Sequence, residues 1–354
     1  MVTSVQTDSP SAVRVHDLSL EWRSEWDKYV ARSPQGSVYH LSSWQEIFTG
    51  SAGHGTHYLL AERDGELVGV LPLVSVRSVI FGSYLVSLPW VPYGGPCVVD
   101  PLARRALVEC SIDVARRQKA RYIELHSESA ECEALVVKSS KVSMRRELAA
   151  HPDALWHEFP PKLRSQIRRP QKDGLIARMG GTDQLDAFCD IYAERMRELG
   201  TPVYPRRFFA GILEHFPDLS RVCCVYAGDR PVAAGLLIGF KDRLEIPWAA
   251  SLTAFNRQSP NMLLYWQALR FGCEHGYRWF DFGRSMPGGP HHRFKAQWGT
   301  ISVPLSWQYW QPTPGPLPER NPQNPRYQLA IRAWRRLPLP VTRVLGPLLA
   351  RSLA

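Results

Sequence analysis

A chain of 354 residues with 44% apolar content is too long for one ordinary core, so two domains of similar size are expected. No uncharged run approaches the roughly 20 apolar residues of a membrane span, and the N-terminus MVTSVQTDSPSAVRVHD lacks a basic region followed by an apolar one, which predicts a cytoplasmic protein. The net charge of +10 favours anionic surfaces or substrates as partners, and the seven scattered cysteines form neither a disulfide framework nor a CxxC metal site.

In chain order, residues 1–20 are expected to be disordered and residues 21–150 to form a first domain. THYLLAERDGELVGVLPLVSV reads as two strands around an Asp64-Gly65 turn. A further strand SYLVSLPW, a helix ARRALVECSIDVARRQKA and a short strand RYIEL complete the unit. Residues 151–310 repeat this plan: a hairpin RVCCVYAGDRPVAAGLLIGF around Gly228-Asp229, a strand LEIPWAAS, a helix NMLLYWQALRFGCEHG and a short strand YRWFDF. Strand alternation sends the adjacent Cys223 and Cys224 to opposite faces. Between the halves lie a strand-like LVVKSSKVSMRREL and the basic segment PPKLRSQIRRPQKDGL. Prolines in QPTPGPLPERNPQNP make residues 311–325 a connector. Residues 326–354 read as a basic amphipathic tail of two short helices split by Pro338 and Pro340, and from Arg320 onward there are seven Arg and no Asp, Glu or Lys.

A hairpin, a third strand, a helix and a fourth strand, present twice, form an α+β layer that looks like two tandem GNAT-type acyltransferase domains followed by the helical tail. The doubled plan together with PPKLRSQIRRPQKDGL, LGTPVYPRRFF, the pair Tyr265-Trp266, FDFGRS and FKAQWG resembles the FemAB-like transferases over nearly the whole chain. VSLPWVPYGGP and NPRYQLAIRAWRRLPLP look like the FemAB-related proteins associated with PEP-CTERM/exosortase exopolysaccharide systems. The resemblance implies transfer of an acyl or aminoacyl group to an amine of a cell-wall, peptide or exopolysaccharide precursor, with aminoacyl-tRNA as donor and no bound cofactor. The sequence departs from the family in two ways: it lacks a long charged helical hairpin in the second half, and it carries His291-His292-Arg293 ahead of the Phe-Lys pair.

Attack of an amine on an acyl ester builds negative charge on the carbonyl oxygen, so a fixed cation aimed at that oxygen is required. By the resemblance, Lys295 takes that place and Phe294 packs against the substrate. Asp281, at the end of the YRWFDF strand, either orients or deprotonates the amine or pairs with Arg284 or Arg278 to hold the loop. Arg284, Trp298, Tyr93, Asn261 and Tyr265 are candidate pocket residues. Lys162, Arg164 and Arg168 would meet the phosphates of tRNA or of an anionic precursor, with Pro170 expected to interrupt their helix. An acyl-CoA donor is disfavoured, because RQSPNM lacks the glycines that let backbone amides cradle a pyrophosphate. His54 and His57, and His291 and His292, lack a third ligand at metal spacing. Two alternatives remain at this stage, an acyl-CoA-dependent N-acyltransferase and a non-catalytic binding module of exopolysaccharide assembly. A tail that joins arginines to leucines is also expected to contact anionic membrane from the cytoplasmic side.

Overall fold

The turn dipeptides set the strand plan. Asp64 and Gly65 take φ values of 55° and 82°, the left-handed pair that a two-residue hairpin needs, and Gly228 at 60° opens the second hairpin. The computed structural model describes residues 12–78, 82–128, 135–313, 315–317 and 325–353. Its first half runs β1 (Arg14–Asp17), α1 (Arg23–Arg32), α2 (Trp44–Ala52), β2 (Gly55–Arg63), β3 (Glu66–Ser78), β4 (Gly82–Val86), α3 (Pro101–Arg117), β5 (Ile123–Ser127), β6 (Val136–Lys138) and β7 (Val142–Glu147). The second half follows with α4 (Pro152–Glu158), α5 (Pro161–Lys172), β8 (Leu175–Gly180), α6 (Leu185–Leu199), α7 (Arg206–His215), β9 (Ser220–Ala227), β10 (Arg230–Phe240) and β11 (Arg243–Ser251). It ends with α8 (Pro260–Glu274), β12 (Trp279–Ser285), α9 (Pro290–Ala296), β13 (Ile301–Pro304) and β14 (Ser306–Trp310), before the tail helices α10 (Pro325–Arg336) and α11 (Leu339–Ala350).

Two sheets result, with orders β1-β2-β3-β4-β5-β14-β6 and β13-β7-β12-β11-β10-β9-β8. The repeat units β5-β6-β7 and β12-β13-β14 exchange their last strands. β7, placed by sequence in the first domain, pairs antiparallel with β12 and β13, and β14, placed in the second, pairs with β5 and β6. The expected boundary at residue 150 therefore does not divide the sheets. The segment expected to be disordered also departs in part: Arg14–Asp17 pairs with Leu59–Glu62 as an edge strand, while residues 1–11 lie outside the described residues. The expected connector at 311–325 is described only in part.

One apolar cluster lies between the two sheets, and each sheet buries another against its own helices. The interdomain cluster gathers Trp26, Tyr39, Trp44, Phe48, Tyr93, Phe188, Phe208 and Trp248. Cys223 joins the core under α8 and Cys224 the interdomain cluster, which is the opposite-face placement that alternation predicts. Pro170 does not interrupt α5; it sits in the last turn, where a single lost amide bond is tolerated, and the helix runs to Lys172.

Candidate functional site

The parallel pairing of β11 with β12 covers only Arg243↔Trp279, Leu244↔Phe280 and Glu245↔Asp281. Beyond that point the two strands no longer pair with each other, so the sheet opens immediately after two facing carboxylates. On its other edge β12 pairs with β7 from Trp279 to Ser285, with a register shift between Asp281 and Arg284. Gly283 sits in this irregularity at φ 77°; a Cβ there would have room but not a comfortable backbone, which explains the glycine in the FDFGRS motif.

Asp281 is fully buried. Its Oδ2 accepts from the Tyr93 hydroxyl (2.7 Å) and from Arg145 Nε (3.1 Å), and its Oδ1 accepts from Ser143 Oγ (2.6 Å) and the Gly283 amide (2.7 Å). Burial opposes ionisation, but the Arg145 charge and the Ser143 and Tyr93 hydrogen bonds outweigh it and hold the carboxyl below its usual range. The partner is Arg145, not Arg284 or Arg278; Arg278 pairs with Glu147 on the surface (3.0 Å). With four donors on its oxygens and no exposed surface, Asp281 is held within the site by its own neighbours. Arg145 also bonds the Tyr93 hydroxyl (3.0 Å) and Glu128 (2.5 Å), and Glu128 receives Arg243 at 2.9 Å.

Glu245 faces Asp281 across the strand pair and accepts from the Tyr39 hydroxyl (2.9 Å), with Arg243 at 4.0 Å. Burial, reinforced by the Asp281 charge, pushes its carboxyl up to about 8. The two acids are thus driven apart: one stays ionised, the other holds its proton near neutrality. Unlike Asp281, Glu245 lines a cavity of about 390 Å3 between the halves, together with His40, Tyr93, Gly95, His126, Arg243 and Gln308. His40 is held neutral by burial, which lowers it to about 4, and its Nε2 lies 2.9 Å from the Gly95 carbonyl. His126 lies between the Val91 carbonyl (3.1 Å) and Glu124 (2.9 Å), and its ring stacks on Trp307 at 3.9 Å. Glu124 occupies in β5 the place that Asp281 occupies in β12. The acid inside the apolar run LEIPW, and the Glu124/His126 pair on one strand face in RYIELHS, are the sequence signals that could have found these residues.

Lys295 is carried by α9 to the opening between β11 and β12. It is 8% exposed and donates to the carbonyls of Gly283 (3.0 Å) and Arg284 (2.9 Å), which leaves a third donor on its ammonium. Burial lowers its pKa to about 8 against the pull of Asp281, with Arg284 adding to the lowering. The half-buried Arg284 has its guanidinium 4.8 Å from the centre of the Trp307 ring and meets no carboxylate in an ion pair among the described residues; burial lowers its pKa.

The other candidates separate. Trp298 is fully buried in the core against Phe159, Tyr265, Phe282 and Phe294. Tyr265 stacks on Phe282 (5.3 Å) in the same cluster, and the half-buried Phe294 closes it edge-on to Tyr265 at 5.2 Å. Asn261 is half-buried in the first turn of α8. On α5, Lys162 and Arg168 are exposed, Arg164 is half-buried, and Arg168 lies over Trp156 at 5.0 Å. His57 contacts Gln118, His54 packs beside Trp90 and His292 contacts Ser302; among the described residues no group of three or more His, Cys, Asp or Glu could hold a metal ion.

The acetyltransferase (GNAT) domain profile matches residues 161–296. Among solved structures, FemX superposes with a TM-score of 0.63 at 16% identity, covering 83% of this chain and 96% of its own. A tandem GNAT protein from the clavulanic acid biosynthesis pathway gives 0.56 at 12% identity, over 86% of this chain and all of its own (100%). The chain is a doubled GNAT fold. L-PGS from Bacillus licheniformis superposes with the same TM-score of 0.56 at 10% identity, covering 94% of this chain and 98% of its own. A search of curated protein sequences finds no match.

Proposed function

We propose that this doubled GNAT protein transfers an acyl or aminoacyl group to an amine bound in the interdomain cavity. The observation that carries this reading is the placement of Lys295: a buried cation with one donor unspent, at the point where β11 and β12 part. In this reading its ammonium stabilises the oxyanion that forms as the amine attacks. Glu245, which lines the cavity, takes the proton the amine loses through its ionised form, the minor form near neutrality for a carboxyl raised to about 8 and a growing one as pH rises toward that value. Arg284 supplies a positive contact for an anionic part of donor or acceptor, and Lys162, Arg164 and Arg168 meet phosphates further out. The likeness of VSLPWVPYGGP and NPRYQLAIRAWRRLPLP to exosortase-associated proteins supports, within this proposal, a cell-wall, peptide or exopolysaccharide precursor as acceptor.

Aminoacyl-tRNA is the donor we favour over acyl-CoA, although the profile's description supports the second. α8 begins with Pro260, which has no amide hydrogen, and the Met262 amide is taken by the Ser259 carbonyl (2.9 Å). Two of the amides a pyrophosphate would need at that helix start are therefore missing. The test sets charged tRNA beside acyl-CoA with a panel of amine acceptors. Lys295→Met is expected to lower kcat by about 100-fold or more, as loss of one oxyanion donor does, with the fold retained; a folded variant with normal turnover refutes the assignment.

A further inference from the structure

A surface helix ordinarily buries its large apolar side chains and turns polar ones outward. α11 does the reverse. Its buried stripe is Thr342, Gly346 and Ala350, while Val341, Val344, Leu345, Leu348 and Leu349 are 38–68% exposed. The seat is close because Gly346 permits it: a Cβ there would stand 2.7 Å from Val203 Cγ1 and 3.0 Å from the Val203 amide nitrogen. Arg343 ties the helix to Asp190 of α6 at 2.7 Å, and the Trp90 indole donates to the Ala350 carbonyl at 3.3 Å. The domain beneath therefore fixes the orientation of α11 and leaves the aliphatic face outward.

α10 extends that surface with Leu329, 67% exposed, and with the exposed Arg332, Arg335 and Arg336. Arg335 bonds the Leu199 carbonyl (3.2 Å) and Arg332 the Gln328 carbonyl (3.4 Å); no carboxylate pairs with these three among the described residues. From residue 320 to the end the chain has seven Arg and no Asp, Glu or Lys. Aliphatic side chains set among unpaired guanidinium groups match a lipid surface with anionic headgroups, where the first enter the acyl boundary and the second meet phosphates. A second copy of the same face would instead bring arginine against arginine. α10 and α11 have 12 residues each, and no helix of the described residues is long and apolar enough to cross a membrane, so the geometry is one of lying on the bilayer.

We propose that the outward face of α10 and α11 docks on an anionic bilayer surface. A cavity of about 360 Å3 beneath α11 is lined by Tyr192, Val203, Tyr204, Phe209 and Pro347 among others.

The experiment is co-sedimentation of the full chain with phosphatidylcholine vesicles and with vesicles that also contain phosphatidylglycerol. Its readout is independent of acyl transfer, so its failure leaves the proposed activity standing. The intact protein is expected to pellet with the anionic vesicles only, and less so at high salt. Leu348→Ser with Leu349→Ser, and separately Arg332→Gln with Arg336→Gln, are each expected to weaken partitioning about ten-fold or more. These side chains are exposed, and circular dichroism is the check that both variants fold. Protein that stays in the supernatant with anionic vesicles at low salt, or double variants that bind like the parent, overturn the proposal. Loss of a dimer in light scattering on Leu348→Ser with Leu349→Ser, without vesicle binding by the parent, assigns the face to self-association and overturns it equally.

Discussion

Replacing Glu245 with Gln tests whether the fold holds this acid in its protonated form. Gln has the same size, keeps an oxygen to accept from Tyr39, and cannot ionise. Burial and the Asp281 charge push the wild-type carboxyl from its ordinary 4.5 up to about 8 in the fold. Between those values the folded chain keeps a proton that the unfolded chain has released, so wild-type stability falls as pH rises, by about 1.4 kcal/mol per pH unit. Below the unfolded value the effect is absent, and above the folded value it reaches its full size of about 4–5 kcal/mol. Asp281 does not confuse the window, because its carboxyl lies below the usual range and is ionised throughout it. Urea unfolding of both proteins, followed by tryptophan fluorescence at each pH, cancels the titrations they share. The advantage of Glu245→Gln over the parent is expected to grow by about 2–3 kcal/mol between about pH 5.5 and about pH 7.5. A difference that stays flat with pH refutes the reasoning and makes Glu245 an ionised partner of Arg243.

Arg145→Met removes the cation that Asp281 and Glu128 share and leaves a fully buried carboxylate without an ion pair; a loss of about 3–5 kcal/mol in the same urea assay is expected, and a loss under about 1 kcal/mol shows that the neutral donors suffice. Gly346→Ala forces a methyl against Val203 and should lift α11 from its seat, seen as faster protease cleavage in the tail with little change in the main unfolding transition; unchanged cleavage means that the helix shifts at no cost.

Local signals survived into the structure and long-range pairings did not. Asp64-Gly65 and Gly228-Asp229 named both hairpins because the positive φ such a turn needs is written locally, at Asp64 and Gly65 in the first and at Gly228 in the second. The VSMRRE and SWQYW strands carry alternation but no address: nothing in them says that β7 joins the second sheet and β14 the first. The exchange decides the site, because Arg145 reaches Asp281 only through the β7 to β12 register, whereas sequence adjacency pointed to Arg284 or Arg278. Trp298 and Tyr265 mark a related limit, since an aromatic residue next to a motif packs a core as readily as it lines a pocket, and the sequence does not distinguish the two. Glu245 was legible in principle, as an isolated acid in an apolar strand has to be satisfied or functional.

The exchanged strands also constrain how the cavity can work. Two domains joined by a linker could open like a hinge, but here each sheet contains a strand from the other repeat, hydrogen-bonded on both sides. Separating the halves would strip both ladders and also break the contacts of Tyr93 with Asp281 and of Tyr39 with Glu245, each of which joins a first-half phenol to a second-half carboxylate. Each buried hydrogen bond of this kind that is left unmade costs about 1–3 kcal/mol, so wide opening is not an accessible step in a binding cycle. The acceptor must enter a cavity whose polar groups already point inward. Adaptation then falls to exposed backbone beside the site, where Met286, Pro287 and Gly288 lead from β12 into α9 and set the position of Lys295. Electrostatic preorganisation requires that the donors around the reacting atoms need not be reorganised as charge develops, and the two carbonyls that hold the buried Lys295 ammonium serve that requirement.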